Sequence, residues 1–406
     1  MTWTPAAVHA ALDRLAGDLP GLGLAVSGGG DSVALMHIAA DWARGRRLMV
    51  ATVDHGLRAT SGAEAAAVAQ AAAGLNLTHN TLIWRDNTAP GNLMANARDA
   101  RLRLLSDWAR RHDLPAVALG HTRDDIAETL LMRLARGAGI DGLAAMAERR
   151  ESHDILWLRP MLDTGRDELR DWLRARGIAW IDDPTNDNTD FDRARVRRAM
   201  SELGLDPAAL ARSAQHLAGA RDALTHYAAG VAQQAQADRG SLTLPRADFD
   251  AAPPDLRRRL LIAAVRWVTG ADYPPRHTTQ THAIQALANG QRVTLDGTII
   301  TPRSDHLHIT REPAAARRSG ATCGPIWDHR WHITGLRAGQ IIAATGDCAR
   351  DFAWRDSGLS LPCATASPAI WQNGALIAAP LLQSHTDFIA RPLRNTSHFI
   401  SLAMAH

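Results

Sequence analysis

The chain has 406 residues, 46% of them apolar, with 45 basic side chains against 42 acidic ones and a formal net charge of +3. That length asks for two or three domains, and no apolar run nears the ~20 residues of a membrane span. All 45 basic side chains are arginine. This excludes a side-chain lysine as nucleophile, Schiff base or phosphate clamp. The scattered Cys323, Cys348 and Cys363 form no Cys-x-x-Cys pair and so argue against a disulfide framework, a zinc ribbon and an iron–sulfur cluster.

The opening Met1-Thr2-Trp3-Thr4-Pro5 lacks a basic-then-apolar leader pattern, so a cytoplasmic protein is expected. Residues 5–17 have helical periodicity. Leu22 to Val26 then reads as a strand that runs into Ser27-Gly28-Gly29-Gly30-Asp31-Ser32 and a helix from Val33. Strand, glycine turn and helix is an arrangement that cradles phosphate, because backbone N–H groups approach an anion closely and the helix N-terminus favours negative charge. Ser27 and Ser32 add hydroxyl donors. Asp31 is out of place in a pure anion cradle and points to Mg²⁺ held between carboxylate and phosphates. The loop has neither the Gly-Lys-Ser/Thr ending of a P-loop nor a Gly-x-Gly-x-x-Gly fingerprint.

Further strands are expected at Arg47–Val53, Thr78–Trp84 and Ala116–Gly120, with helices over 62–74, 92–112, 122–136 and 165–176. Such alternation of short apolar strands with helices predicts an open parallel α/β sheet. In that architecture ligands sit beyond the carboxyl ends of the strands. The residues of chemical interest fall there: the glycine loop after Val26, Asp54-His55-Gly56-Leu57-Arg58 after Val53, and His121-Thr122-Arg123-Asp124-Asp125 after Gly120. The backbone of Val53 could receive adenine, with His55 close to the nucleotide. Asp125 and Glu128 are three apart and share one helix face, where they could hold an ammonium group or a metal. Arg98 and Arg101 lie one turn apart on the long helix, and Arg193, Arg195, Arg197 and Arg198 form a later cluster. Residues 206–236 read as helical, as do Leu256–Val268 and His277–Ala288. A β meander follows over 291–312, then a linker over Pro313–Gly324 and a Trp-bearing tail with short strands over 325–406. Trp327, Trp331, Trp354 and Trp371 suit core packing better than base stacking.

Taken together, Ser27–Ser32, Val53–Arg58, Ala97-Arg98-Asp99-Ala100-Arg101, Leu119–Thr129, Leu134–Gly139, and Asp183-Pro184-Thr185-Asn186 with Arg193–Arg197 resemble the tRNA(Ile)-lysidine synthases, N-type ATP pyrophosphatases. The resemblance covers about the first 200 residues. Met94, Leu102 and Ala194 depart from the family's usual residues. The resemblance implies a fold of the adenine-nucleotide α-hydrolase type over 1–205, then a helical connector and α+β tRNA-binding domain over 206–312 and a small C-terminal domain over 325–406. It implies ATP and Mg²⁺ as cofactors, with free L-lysine and a CAU-anticodon tRNA(Ile) as partners and a homodimer among the allowed assemblies. By that resemblance Asp31, Arg98, Arg101 and Asp125 are catalytic, with Asp31 on the metal. Ser27, Gly28, Gly29, Gly30, Asp31, Ser32, Val53, His55, Gly120 and His121 bind nucleotide, and Asp125, Glu128, Arg193 and Arg197 bind substrate. The competing readings are a 2-thiocytidine-type tRNA modifier, which calls for paired cysteines, and a small-molecule adenylating ligase.

Overall fold

The computed structural model describes residues 3–43, 45–56, 60–84, 93–182 and 192–405, with side chains at all but 93–95, 98 and 192. The chain divides into two compact units, Met1–Arg221 and Asp222–His406.

The first unit runs α1 (Ala6–Ala16), β1 (Gly21–Ala25), α2 (Gly30–Ala43), β2 (Arg47–Asp54), α3 (Ser61–Gly74), β3 (Thr78–Ile83), α4 (Leu93–Arg111) and β4 (Ala116–Leu119). It continues through α5 (Arg123–Leu134), α6 (Ile140–Leu143), β5 (Arg149–Ser152), β6 (Ile155–Leu158), α7 (Arg166–Ala175) and α8 (Asp192–Glu202) to the start of α9 (Pro207–Ala232). The sheet order is β3-β2-β1-β4-β6-β5, parallel throughout except for β5. Every residue of β1 is buried, as a central strand covered on both faces requires. On one face Leu35 and Ile38 of α2 pack with Leu12 of α1 and with Leu169 and Leu173 of α7. On the other, Leu105 and Trp108 of α4 pack with Leu114 and Trp157. Gly23 is required there, since a Cβ would stand 2.7 Å from the Trp108 ring.

The strand order turns at β1. The chain moves from β1 through α2 to β2 on one side, whereas β4 pairs with β1 on the other. That reversal opens a crevice at the carboxyl ends of β1 and β4, where doubly wound sheets place their ligands.

The second unit holds the end of α9, then β7 (Gln236–Asp238), β8 (Ser241–Pro245), α10 (Arg246–Ala251), α11 (Pro254–Thr269), α12 (His277–Ala288), β9 (Val293–Leu295), β10 (Thr298–Pro302) and β11 (His306–Arg311). After these come α13 (Pro313–Arg318), β12 (Ile326–Trp327), β13 (Trp331–Thr334), β14 (Gln340–Ala344), α14 (Leu361–Thr365), β15 (Pro368–Gln372), β16 (Ala375–Ala378), β17 (Ile389–Pro392) and α15 (Thr396–Met404). The meander is present as β9-β10-β11 inside a five-stranded antiparallel sheet, β7-β8-β11-β10-β9. Its first turn is Asp296-Gly297, both with positive φ.

One expectation is corrected. Pro313–Gly324 is not simply a linker, because Pro313–Arg318 forms a helix that starts with proline at its first turn and buries Ala315 and Ala316. Small apolar residues that read as a loop composition serve as packing surface beside Trp327 and Ile342. The strands of 326–392 form two three-stranded sheets, β12-β13-β17 and β14-β15-β16. Trp327 and Trp331 are buried in their core. The final helix leaves those sheets: Phe399 and Ala403 join the core of α11, α12 and the five-stranded sheet. No described helix is long and apolar enough to cross a membrane.

Candidate functional site

The glycine loop occupies the crevice between β1 and β4. Gly28 has φ +94°, a conformation open to glycine. Ser32 ties the loop closed: the Ser27 N–H donates to its Oγ at 3.1 Å, and that Oγ donates to the Gly29 carbonyl at 2.9 Å. Helix α2 begins at Gly30, and the first N–H groups of a helix lack intrahelical acceptors and favour an anion. Gly120 presses against this helix start, so that a Cβ would lie 3.0 Å from Ser32 Cα and 3.1 Å from its nitrogen. Trp180 covers Gly30, and the Ile181 N–H donates to the Gly28 carbonyl at 2.9 Å.

Helix α5 is capped by Thr122, whose N–H donates to Asp125 Oδ2 at 2.8 Å in a capping box. That bond fixes the Asp125 carboxylate at the crevice, and Glu128 follows one turn on, with no exposed side-chain surface. Arg166, the first residue of α7, reaches across. Its Nε donates to Asp31 Oδ2 at 3.2 Å and its Nη1 to Glu128 Oε1 at 2.8 Å, while Nη2 lies 3.5 Å from Asp125 Oδ1. Two arginines of α8 close the cluster. Arg197 Nε donates to Glu128 Oε1 at 2.6 Å, and Arg193 Nη1 to Asp125 Oδ1 at 3.4 Å. The carboxylates of Asp31, Asp125 and Glu128 thus face the guanidinium groups of Arg166, Arg193 and Arg197.

Burial pushes the Asp31 carboxyl up to about 6, against the pull of Arg166, and its Oδ1 is buried without a partner. Burial opposes the ionisation of Asp125, yet the charges of Arg166 and Arg193 and the Thr122 N–H hold it below the usual carboxylate range. Burial lowers the His121 pKa to about 4. Burial and the charge of Arg101 lower that of His55, whose ring stands edge-on to Trp84 at 5.8 Å. Both imidazoles are therefore neutral at pH 7.

The structure gathers most of the residues singled out from sequence. The loop residues, Gly120, Asp125, Glu128, Arg193 and Arg197 meet in one crevice. Val53 and His55 lie at the end of the adjoining strand β2, and the charge of Arg101 is felt at both His55 and His121. Leu57, Arg58 and the Asp183-Pro184-Thr185-Asn186 block lie outside the described residues, as do the side chains of Met94 and Arg98. Arg166 is the group that sequence reasoning missed. Its signal was a cation in the first turn of a helix, where the macrodipole disfavours positive charge unless carboxylates compensate it.

A family model described as a PP-loop domain matches residues 9–203. The tRNA(Ile)-lysidine synthase of Ruegeria pomeroyi is 42% identical over 396 residues, covering 95% of this chain and 94% of that protein. The enzyme of the same name from Bradyrhizobium diazoefficiens is 40% identical over 332 residues, covering 74% of this chain and 92% of its own. This chain belongs to the tRNA(Ile)-lysidine synthase family. All six charged residues of the cluster fall within the part of this lysidine synthase family member that matches the PP-loop domain. Among solved structures, the U34-tRNA thiolase NcsA of Methanococcus maripaludis aligns with a TM-score of 0.45 at 14% identity, over 52% of this chain and 77% of that one.

Proposed function

We propose that the chain forms lysidine at the wobble cytidine of CAU-anticodon tRNA(Ile), using ATP and free L-lysine. The cytidine C2 oxygen attacks the α-phosphorus of ATP and pyrophosphate leaves. The ε-amine of lysine, once its ammonium proton is lost, attacks C2, and AMP leaves with the oxygen. One observation carries the reading: a phosphate-type loop with a half-buried carboxylate is joined through a single guanidinium to the carboxylate pair Asp125 and Glu128.

Ser27 to Ser32 would hold the departing pyrophosphate, with Val53 and His55 toward the adenosine. Asp125 and Glu128 would take the lysine ammonium. Arg193 and Arg197 would bind substrate, and Arg98 and Arg101 would face the phosphate or the adenylated base. Among the described residues no three His, Cys, Asp or Glu side chains gather as a metal cage. The buried, unpartnered Oδ1 of Asp31 nevertheless suits Mg²⁺, which is commonly bound through one or two carboxylates plus substrate phosphates and water. Such an ion would neutralise charge on the leaving pyrophosphate. The regions 206–312 and 325–406 would hold the tRNA by shape and phosphate contacts. A 2-thiocytidine-type chemistry finds no support, since the first cysteine in the chain is Cys323.

The test is ATP-dependent incorporation of labelled lysine into tRNA(Ile) with a CAU anticodon and into tRNA(Met) with the same anticodon. Incorporation confined to the first, and lost in Asp31→Ala, is the expected result. Turnover of ATP without lysine transfer would overturn the assignment of the nucleophile. No turnover with either RNA would favour a small-molecule ligase.

A further inference from the structure

We infer that Arg166 is a positioning residue for both halves of the reaction, holding the loop carboxylate Asp31 and the α5 pair Asp125 and Glu128 as one constellation. The inference rests on the function proposed above for the roles of those carboxylates, and the geometry behind it is independent of that function.

Asp31 belongs to the helix that follows β1, and Asp125 and Glu128 belong to the helix that follows β4. The two helices flank the point where the strand order reverses. Arg166 comes from a third element and spans them, with Nε on Asp31, Nη1 on Glu128 and Nη2 facing Asp125. A guanidinium fixes these directions in one plane, so the three carboxylates take their spacing from it. The arginine is itself held. Its backbone N–H donates to Asp124 Oδ2 at 2.8 Å. A separate, half-exposed pair joins the same two helices, Arg123 of α5 with Glu168 of α7 at 3.4 Å. Leu169 and Leu173 anchor the same helix in the core beneath α2. Only 14% of the Arg166 side chain is exposed. Without this cation, the three carboxylates would face one another with compensation, among the described residues, from Arg193 and Arg197 of α8 on Asp125 and Glu128 and from the more distant charge of Arg170 on Asp31.

The full-length Arg166→Met and Arg166→Lys variants test this. ATP affinity is measured by calorimetry, pyrophosphate release with tRNA in the absence of lysine, and the KM for lysine in the complete reaction. In Arg166→Met, weaker ATP binding, slower pyrophosphate release and a higher lysine KM are expected together, each by roughly ten- to a hundredfold, the worth of a charge-assisted hydrogen bond. Arg166→Lys should stay closer to Arg166→Met than to the parent, because a single ammonium cannot span three carboxylates. It also serves as the folded alternative if Arg166→Met does not fold. Arg123→Met is the control. It loosens the docking of α5 on α7 without touching the three carboxylates, and should lower the melting temperature while leaving both affinities within about twofold. The inference is overturned if the Arg166 variants disturb only one half-reaction. It also fails if they reduce the active fraction with unchanged ATP affinity and lysine KM, or if they match Arg123→Met. If the parent enzyme transfers no lysine, the functional reading falls instead, and ATP affinity still reports on the hold of Arg166 on Asp31.

Discussion

His121 sits in the turn after β4 with its Nδ1 buried and unpartnered. Burial lowers its pKa to about 4, Asp125 acting against this and Arg159, Arg101 and Arg193 adding to it. An exposed histidine titrates near 6.5. As pH falls below that value the unfolded chain takes up a proton that the folded site refuses until about pH 4, so the site loses stability across this window. The loss should amount to a few kcal/mol. His121→Asn, which cannot titrate, should therefore show a shallower drop in melting temperature than the parent between pH 7 and pH 5. Parallel curves would refute a neutral, buried His121. The carboxylates Asp31 and Asp125 were legible in the sequence because each stands in a first helical turn after a strand, and Glu128 because it lies three residues further along the same helix face. Arg166 was not, because its role depends on where α7 lands, which no local period encodes. What could be read locally was a cation at a helix start, a preference violated for a tertiary reason.

At the scale of elements, the turn from β4 into α5 matters most, because it brings Asp125 to the loop. Gly120 permits that approach. The atoms that an added Cβ would meet belong to the backbone of Asp31 and Ser32, which cannot rotate away. Gly120→Ala should separate the turn from α2 at a cost of about 1–3 kcal/mol. It should weaken ATP binding more than its stability loss alone explains. Gly28→Ala offers a contrast, since its obstacle is the end of the Ile181 side chain and its larger difficulty the positive φ. A Gly120→Ala protein with the parent's ATP affinity would show that the contact is dispensable. The strands β1 to β4 were readable because buried parallel strands are short apolar runs between helices. The β5–β6 hairpin escaped notice. Its strands are four residues each, β5 is largely exposed, and the two positive-φ turn positions are His153 and Asp154 rather than Asn-Gly.

At the scale of the molecule, the two units have separate cores, and the closure of the second one is the feature least readable from local pattern. The tail read as a small domain of its own, yet its last helix returns to the core built by α11, α12 and the first antiparallel sheet. Asn395 caps α15 by accepting the His398 N–H, and the Trp267 indole N–H donates to the Asn395 carbonyl at 2.9 Å. Arg394 Nε donates to the Trp267 carbonyl at 2.7 Å, so the entry to the helix is fixed before its apolar face packs. Periodicity could suggest an apolar helix over 396–404 but not which core it completes. Phe399 is fully buried, and truncating such a side chain to alanine costs about 3–5 kcal/mol. Phe399→Ala should therefore destabilise the second unit alone. Thermal unfolding should separate into two transitions, with the earlier one accompanied by proteolysis within 222–406. ATP affinity, which belongs to the first unit, should stay at the parent value while lysidine formation on tRNA falls, if the second unit holds the RNA. A single transition shifted as a whole, with ATP affinity falling alongside, would mean that the two cores melt as one.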